Sequence, residues 1–188
     1  GGSLVCHHML FNADGTIDLK LPDGIDKKFT TLKKTVLIDK SGKAVKKENS
    51  YVLSDVASVS FPRLDKTCKI GATVKATGDE DVFGFAFGAC DDKTEVYSIR
   101  FDLKSKKMIM SKDDLTRGTT PAQTDVTLAV PADKQFKVKI VAEKSVCVMY
   151  VNDKIAFSNR IDKMPKNPWA IFTDKGTEIS FSDIKVYE

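Results

Sequence analysis

Between Phe136 and Arg160 the chain reads as apolar runs separated by short polar breaks at Glu143-Lys144-Ser145 and Asn152-Asp153-Lys154. Run, turn, run, turn and run at this spacing predicts an antiparallel meander. Asn-Asp suits the second turn, because both residues tolerate positive φ and hydrogen-bond to the local backbone. The same period of two recurs along the chain. Ile17-Asp18-Leu19-Lys20-Leu21 alternates before the turn former Pro22-Asp23-Gly24, and Cys68 to Lys75 alternates again. Phe83-Gly84-Phe85-Ala86-Phe87-Gly88 sets three aromatic residues on one face and three very small ones on the other. Such a strand lets another layer, or a ligand, approach its small face closely. Sheet-to-sheet packing is the first expectation there, and a sugar lying along that face the second.

Further strands are expected at Val96–Leu103, Met108–Met110, Val126–Val130, Trp169–Thr173 and Ile179–Tyr187, with turn residues between them. A helical pattern is confined to a turn or two around Gly24 to Leu32. Many short strands with regular turns predict an all-β protein built as a two-sheet antiparallel β-sandwich. Val146 to Val151 is apolar on both faces, so one face belongs to the core and the other needs a cover. A loop, the N-terminal segment or a partner domain would each supply one.

Composition narrows the class. The 188 residues are 41% hydrophobic and 30% charged, which suits one folded domain rather than a disordered tail. No apolar run approaches the roughly 18 residues of a membrane span. The net charge of +4 does not read as a nucleic-acid footprint, because lysines alternate with apolar residues, as in Lys137-Val138-Lys139-Ile140. That is how a sheet keeps one face wet. Cys6, Cys68, Cys90 and Cys147 form no C-x-x-C pair. Cys68 and Cys147 read as small buried hydrophobes, with a disulfide between them as the alternative if their strands pair. Residues 1–16 read as a lead-in that includes a cloning scar, and residues 17–188 as a single sandwich domain.

Glu143-Lys144-Ser145, Met149-Tyr150-Val151-Asn152-Asp153 and Ser158-Asn159-Arg160 together resemble a recurring signature of the C-terminal β-sandwich module of glycoside hydrolase family 32. That family includes invertases, levanases and inulinases. Tyr97 to Asp102 with Lys106-Lys107-Met108 resembles the strand pair before the signature. His8-Met9-Leu10, Asp14-Gly15-Thr16-Ile17 and Pro22 resemble the segment leading into the module. Val148, Lys154 and Asn159 depart from the pattern. The resemblance implies a jelly-roll sandwich of the concanavalin A-like lectin type, packed on a separate catalytic five-bladed propeller.

Glycoside hydrolysis generally requires two carboxylates flanking the scissile bond. The acidic clusters Asp79-Glu80-Asp81, Asp91-Asp92 and Asp113-Asp114 all fall in expected turns, and the propeller motifs of the family do not occur in this sequence. No catalytic residue is therefore assigned, no cofactor is implied and no metal site is expected. Structural calcium at Asp79-Glu80-Asp81 or Asp91-Asp92 is the alternative. Trp169, Tyr97, Asn152, Asp153 and Arg160 are the candidate contacts to a glycan or to the neighbouring domain. Trp169 has a second reading as a buried core ring, and the resemblance gives Arg160 a place at the boundary with the propeller. The expected function is a non-catalytic accessory module of a fructan-active glycoside hydrolase, with fructan or another polysaccharide as a weak ligand. A free-standing lectin-like carbohydrate-binding protein is the alternative. By analogy with polysaccharide-degrading relatives, it belongs in the periplasm, at the cell surface or outside the cell.

Overall fold

A computed structural model describes residues 5–64, 66–88, 95–114, 124–161 and 168–188. The strands run β1 (His8–Phe11), β2 (Ile17–Lys20), β3 (Leu32–Lys33), β4 (Asp39–Lys46), β5 (Ser50–Phe61), β6 (Cys68–Ala76), β7 (Val82–Gly88) and β8 (Glu95–Asp102). They continue as β9 (Lys107–Asp114), β10 (Thr124–Thr127), β11 (Gln135–Glu143), β12 (Val146–Val151), β13 (Ile155–Arg160), β14 (Trp169–Lys175) and β15 (Ile179–Tyr187). The helical pattern expected after Gly24 contracts to one turn, α1 (Asp23–Asp26).

Eleven strands form one antiparallel path, β10-β9-β8-β7-β14-β5-β15-β6-β11-β12-β13, and β4 added to β5 and β3 to β15 bring the sheet to thirteen. Strand β5 turns this path into two layers. Its Ala57–Phe61 half pairs with β14, and its Ser50–Leu53 half pairs with β15. Between the halves Asp55 takes φ 54°, and β4 bends alongside through a bulge at Gly42. A Cβ at Gly42 would lie 2.1 Å from the carbonyl oxygen of Val56, so the corner demands glycine. Neither β4 nor β5 was expected from sequence. Asp55 interrupts the apolar run of β5, and β4 carries three lysines, as an edge strand does.

The aromatic face of β7 is the centre of the core. Phe83, Phe85 and Phe87 are buried, and their rings meet the opposite layer. Phe83 lies 5.9 Å from Phe136 and 6.2 Å from Phe181, and Phe85 lies 6.0 Å from Phe181. The expected packing of the second sheet on the small face is thus reversed. Two layers about 10 Å apart are filled by large side chains, which leaves Gly84 and Ala86 facing outward.

The meander forms as expected, with β11, β12 and β13 antiparallel and both Asn152 and Asp153 at positive φ. Cys68 and Cys147 are free thiols, so the disulfide alternative is not realised. Both cysteines stand opposite Ala142, one on each side of β11. Two strand spacings separate them by roughly 9.5 Å, beyond disulfide reach. Burial pushes both thiols up to about 12.

The outer face of β12 is covered by the chain's own beginning. Leu21 packs on Val148 and Tyr150, joined by Val5, Val146 and Ala156. His7 is within hydrogen-bonding distance of Tyr150 through Nδ1 (3.1 Å) and of Ser158 through Nε2 (3.2 Å). Burial raises the Tyr150 phenol to about 12, so it stays protonated as a partner for His7. Of the covers considered for β12, the N-terminal segment is the one present.

Candidate functional site

The five residues singled out from sequence do not converge. Trp169 is 1% exposed and stacks on Phe61 at 4.5 Å, and Tyr97 is 2% exposed. Both stand opposite Phe87, one from each side, so both rings belong to the core. The Asn152 side chain accepts the Lys137 amide at 2.7 Å, and Asp153 accepts from Lys139 Nζ at 3.2 Å. These bonds brace the β12–β13 turn. Arg160 is exposed at the other end of β13, roughly 17 Å away at about 3.4 Å per residue.

The acidic cluster in the β6–β7 turn disperses among protein partners. Asp81 is buried and accepts the amides of Thr77, Gly78 and Thr177. Asp79 pairs with Lys134, and Glu80 with Lys104 and Lys175. The hydrogen bond from Lys175, followed by that from Lys104, holds the Glu80 carboxyl down at about 2. Among the described residues no group of three or more His, Cys, Asp or Glu side chains converges on a metal position. Asp91-Asp92 and the side chains of Asp113 and Asp114 lie outside the described residues.

A different site emerges on the outer face of β7. Residues directly opposite one another in antiparallel strands share a face. One row across the sheet therefore runs Asp39, Ser60, Ala170, Ala86, Ser98 and Ser111. The next runs Ser41, Ser58, Phe172, Gly84 and Arg100. With side chains this short the floor lies near backbone level. It forms two adjoining hollows of about 330 and 200 Å³ that share Ser58, Ala86, Val96 and Phe172. Ile38, Asp39 and Ser41 line the β4 side.

Arg100 crosses this floor because Gly84 lies between it and Phe172. A Cβ at 84 would sit 2.0 Å from the carbonyl oxygen of Ile99 and 3.1 Å from the Arg100 Cα. The guanidinium lies 5.4 Å from the Phe172 ring centre. Its Nε donates to Asp174 Oδ2 at 2.7 Å, and Nη1 donates to Ser111 Oγ at 2.6 Å and to Ser98 Oγ. Ser98 and Ser111 are buried and 3.1 Å apart, and the Arg100 side chain is 17% exposed. The arrangement fixes polar groups of both hydrogen-bonding senses along the trough, with the Arg100 cation balanced by Asp174 and the Asp39 carboxylate on the β4 side. The wet face of β8 was legible as the alternation Ser98, Arg100, Asp102, but Asp174 lies 74 residues from Arg100 and enters only through strand order.

Against known proteins, the sequence profile described as "GH32, BT1760-like, C-terminal domain" matches residues 15–186. The chain belongs to that family. Solved structures similar to this GH32 C-terminal domain include a β-fructofuranosidase from Aspergillus kawachii complexed with glycerol. That match has a TM-score of 0.66 and 12% identity, covering 92% of this chain and 30% of the enzyme. The exo-inulinase from Aspergillus awamori matches at 0.64 and 14% identity, covering 97% of this chain and 34% of the other. The carbohydrate binding module CBM66 from Bacillus subtilis matches at 0.65 and 10% identity, covering 85% of this chain and 99% of that one. The domain thus spans about a third of the length of the two enzymes and corresponds to nearly all of the binding module. No curated protein matches it. The sandwich expected from the strand pattern is the fold these structures share.

Proposed function

We propose that this domain is the non-catalytic accessory module of a fructan-active glycoside hydrolase, packed on a catalytic propeller of the same polypeptide and holding polysaccharide weakly. The family match over residues 15–186 carries this reading. A second support is that the fold accounts for nearly all of a stand-alone carbohydrate binding module. A surface suited to packing on a larger domain lies on the N-terminal hairpin. Phe11 is 75% exposed and stands opposite Ile17, with Met9 on the same face and also exposed. Contiguous exposed apolar residues of this kind mark interaction surfaces. A module holding polymer beside a catalytic domain raises the local concentration of scissile bonds without touching the chemistry. By analogy with polysaccharide-degrading proteins, the place of action is the periplasm, the cell surface or the medium.

The test is direct. Purified domain is expected to release no fructose from sucrose, levan or inulin, yet to be retarded in gels cast with a fructan. Fructose release by clean material would overturn the accessory role. In the longer polypeptide, Phe11→Ser is expected to lower the melting temperature while leaving that of the isolated domain nearly unchanged. The correspondence with a complete binding module favours one other reading, a free-standing lectin-like protein. Immunoblotting the source cells decides between them. A native product near 20.7 kDa selects the lectin, and a much heavier one selects the enzyme module.

A further inference from the structure

We infer that the trough on the outer face of β7, with Arg100 as its specificity-determining residue, is the polysaccharide-binding site of this module, and that it takes a neutral polyhydroxylated chain lying along the strands. The inference rests on the carbohydrate-binding reading above and adds a place and a mode to it.

Four features select the ligand class. Ser58 and Ser60 of β5 line the hollows with hydroxyls that can each donate and accept, while Ser98 and Ser111 lie buried beneath Arg100 and hold it. The charge of Arg100 is met by Asp174 at 2.7 Å, so the trough is not built for an anion. Ala86, Val96 and Ala170 give the hollows an apolar lining for the C–H face of a sugar ring, with the buried Phe172 ring beneath Arg100 between them. The larger hollow, at about 330 Å³, falls within the roughly 300–1,000 Å³ of small-molecule sites.

Other occupants fit less well. A peptide adding itself to a sheet needs unpaired backbone at an edge, whereas β7 is paired on both sides, with β8 and β14. A protein domain packing here would have to desolvate the Arg100–Asp174 pair and the Asp39 carboxylate, charges that the core of a permanent interface avoids. From Pro168 to Asp174 the trough follows β14 for about 20 Å at roughly 3.3 Å per residue, room for several sugar units in line.

Arg100 acts as a reader because it is held from three sides. Its planar fork is fixed by Asp174, Ser98 and Ser111, so its orientation is set before a ligand arrives. A lysine would keep the charge for Asp174 and lose the fork.

Calorimetry and affinity electrophoresis with levan, inulin and fructo-oligosaccharides of increasing length test the assignment, with a β-glucan and a galactan alongside. Ala86→Leu raises the floor without entering the core, and Arg100→Lys removes the fork. Melting curves establish that each variant is folded. Each substitution is expected to weaken binding at least tenfold, and wild-type affinity should rise with oligosaccharide length until the trough is filled. Unchanged binding by folded Ala86→Leu would overturn the site while leaving a sugar-binding module intact. Binding by the isolated domain that disappears in the longer polypeptide would make the trough an interface between domains and overturn the proposal. Failure of the wild-type domain to bind any of these glycans would overturn the carbohydrate-binding reading together with the site.

Discussion

On β12 the outward residues Val148 and Tyr150 lie beneath the N-terminal segment, whereas on β7 the outward residue Ala86 lies open on the floor of a trough. The two strands sit in opposite layers of one sandwich and present equally continuous inner faces. What differs is the size of the outward side chains. Large apolar groups left in water cost about 25 cal/mol per Å², so β12 requires a cover and obtains one from Leu21. Very small groups expose little apolar area, so β7 needs none, and its shallowness becomes available for a ligand. Whether a sheet face is closed or open is therefore set locally, residue by residue, before any partner is considered.

The comparison can be broken most forcefully from the inside. Phe83→Ala removes a fully buried ring in contact with Phe101, Phe136 and Phe181, and is expected to lower stability by about 3–5 kcal/mol in urea titrations. On the covered outer face, Leu21→Ala is expected to cost about 2–3 kcal/mol, and amide exchange should quicken first in β1 and β2. On the open outer face, Ala86→Leu should change stability by no more than about 0.5 kcal/mol, since the added atoms enter the trough. A large destabilisation by Ala86→Leu would mean that the face is packed after all.

The smallest effect concerns pH. Glu80 titrates at about 2 in the folded chain against an ordinary 4.5. An unfolded chain therefore takes up this proton first as the pH falls. The contribution of its bridges to Lys175 and Lys104 is present above about pH 4.5 and is lost as the pH falls towards 2. Because the carboxylate is exposed to solvent, that contribution is small. Glu80→Gln should slightly flatten the acid limb of stability, compared by urea midpoints near neutrality and at about pH 3.

Much of this architecture was legible in the sequence where a residue's fate depends on its neighbours in the chain. The alternation of Phe83 to Gly88 announced a two-faced strand, and Asn152-Asp153 announced a turn with positive φ. The doubly apolar Val146 to Val151 announced a covered face. The direction of the small face was misread, because alternation gives two faces without saying which one meets the other layer. The small face carried a sugar as its second expectation, but the side chains beside it were hidden for a related reason. Trp169 and Tyr97 look like a sugar platform by residue type, yet both stand opposite Phe87 and share its inward direction. Arg100, Ser111 and Asp174 come together across β9, β8, β7 and β14, and no local pattern encodes that strand order. The corner strand β5 escaped notice because Asp55, where the chain changes layer, looks like the end of a run.

The hydrogen-bonding contacts of His7 with Tyr150 and Ser158 bear on where the border of this domain falls. The recurrent family pattern opens at residue 15, and a fragment begun there would keep Leu21 but lose His7, Val5 and the whole of β1. Such a fragment would retain every strand of the sandwich and still present Tyr150 to solvent. In practical cloning the functional border of the domain lies upstream of its sequence signature, and expression trials that respect the signature alone should yield the stickier protein.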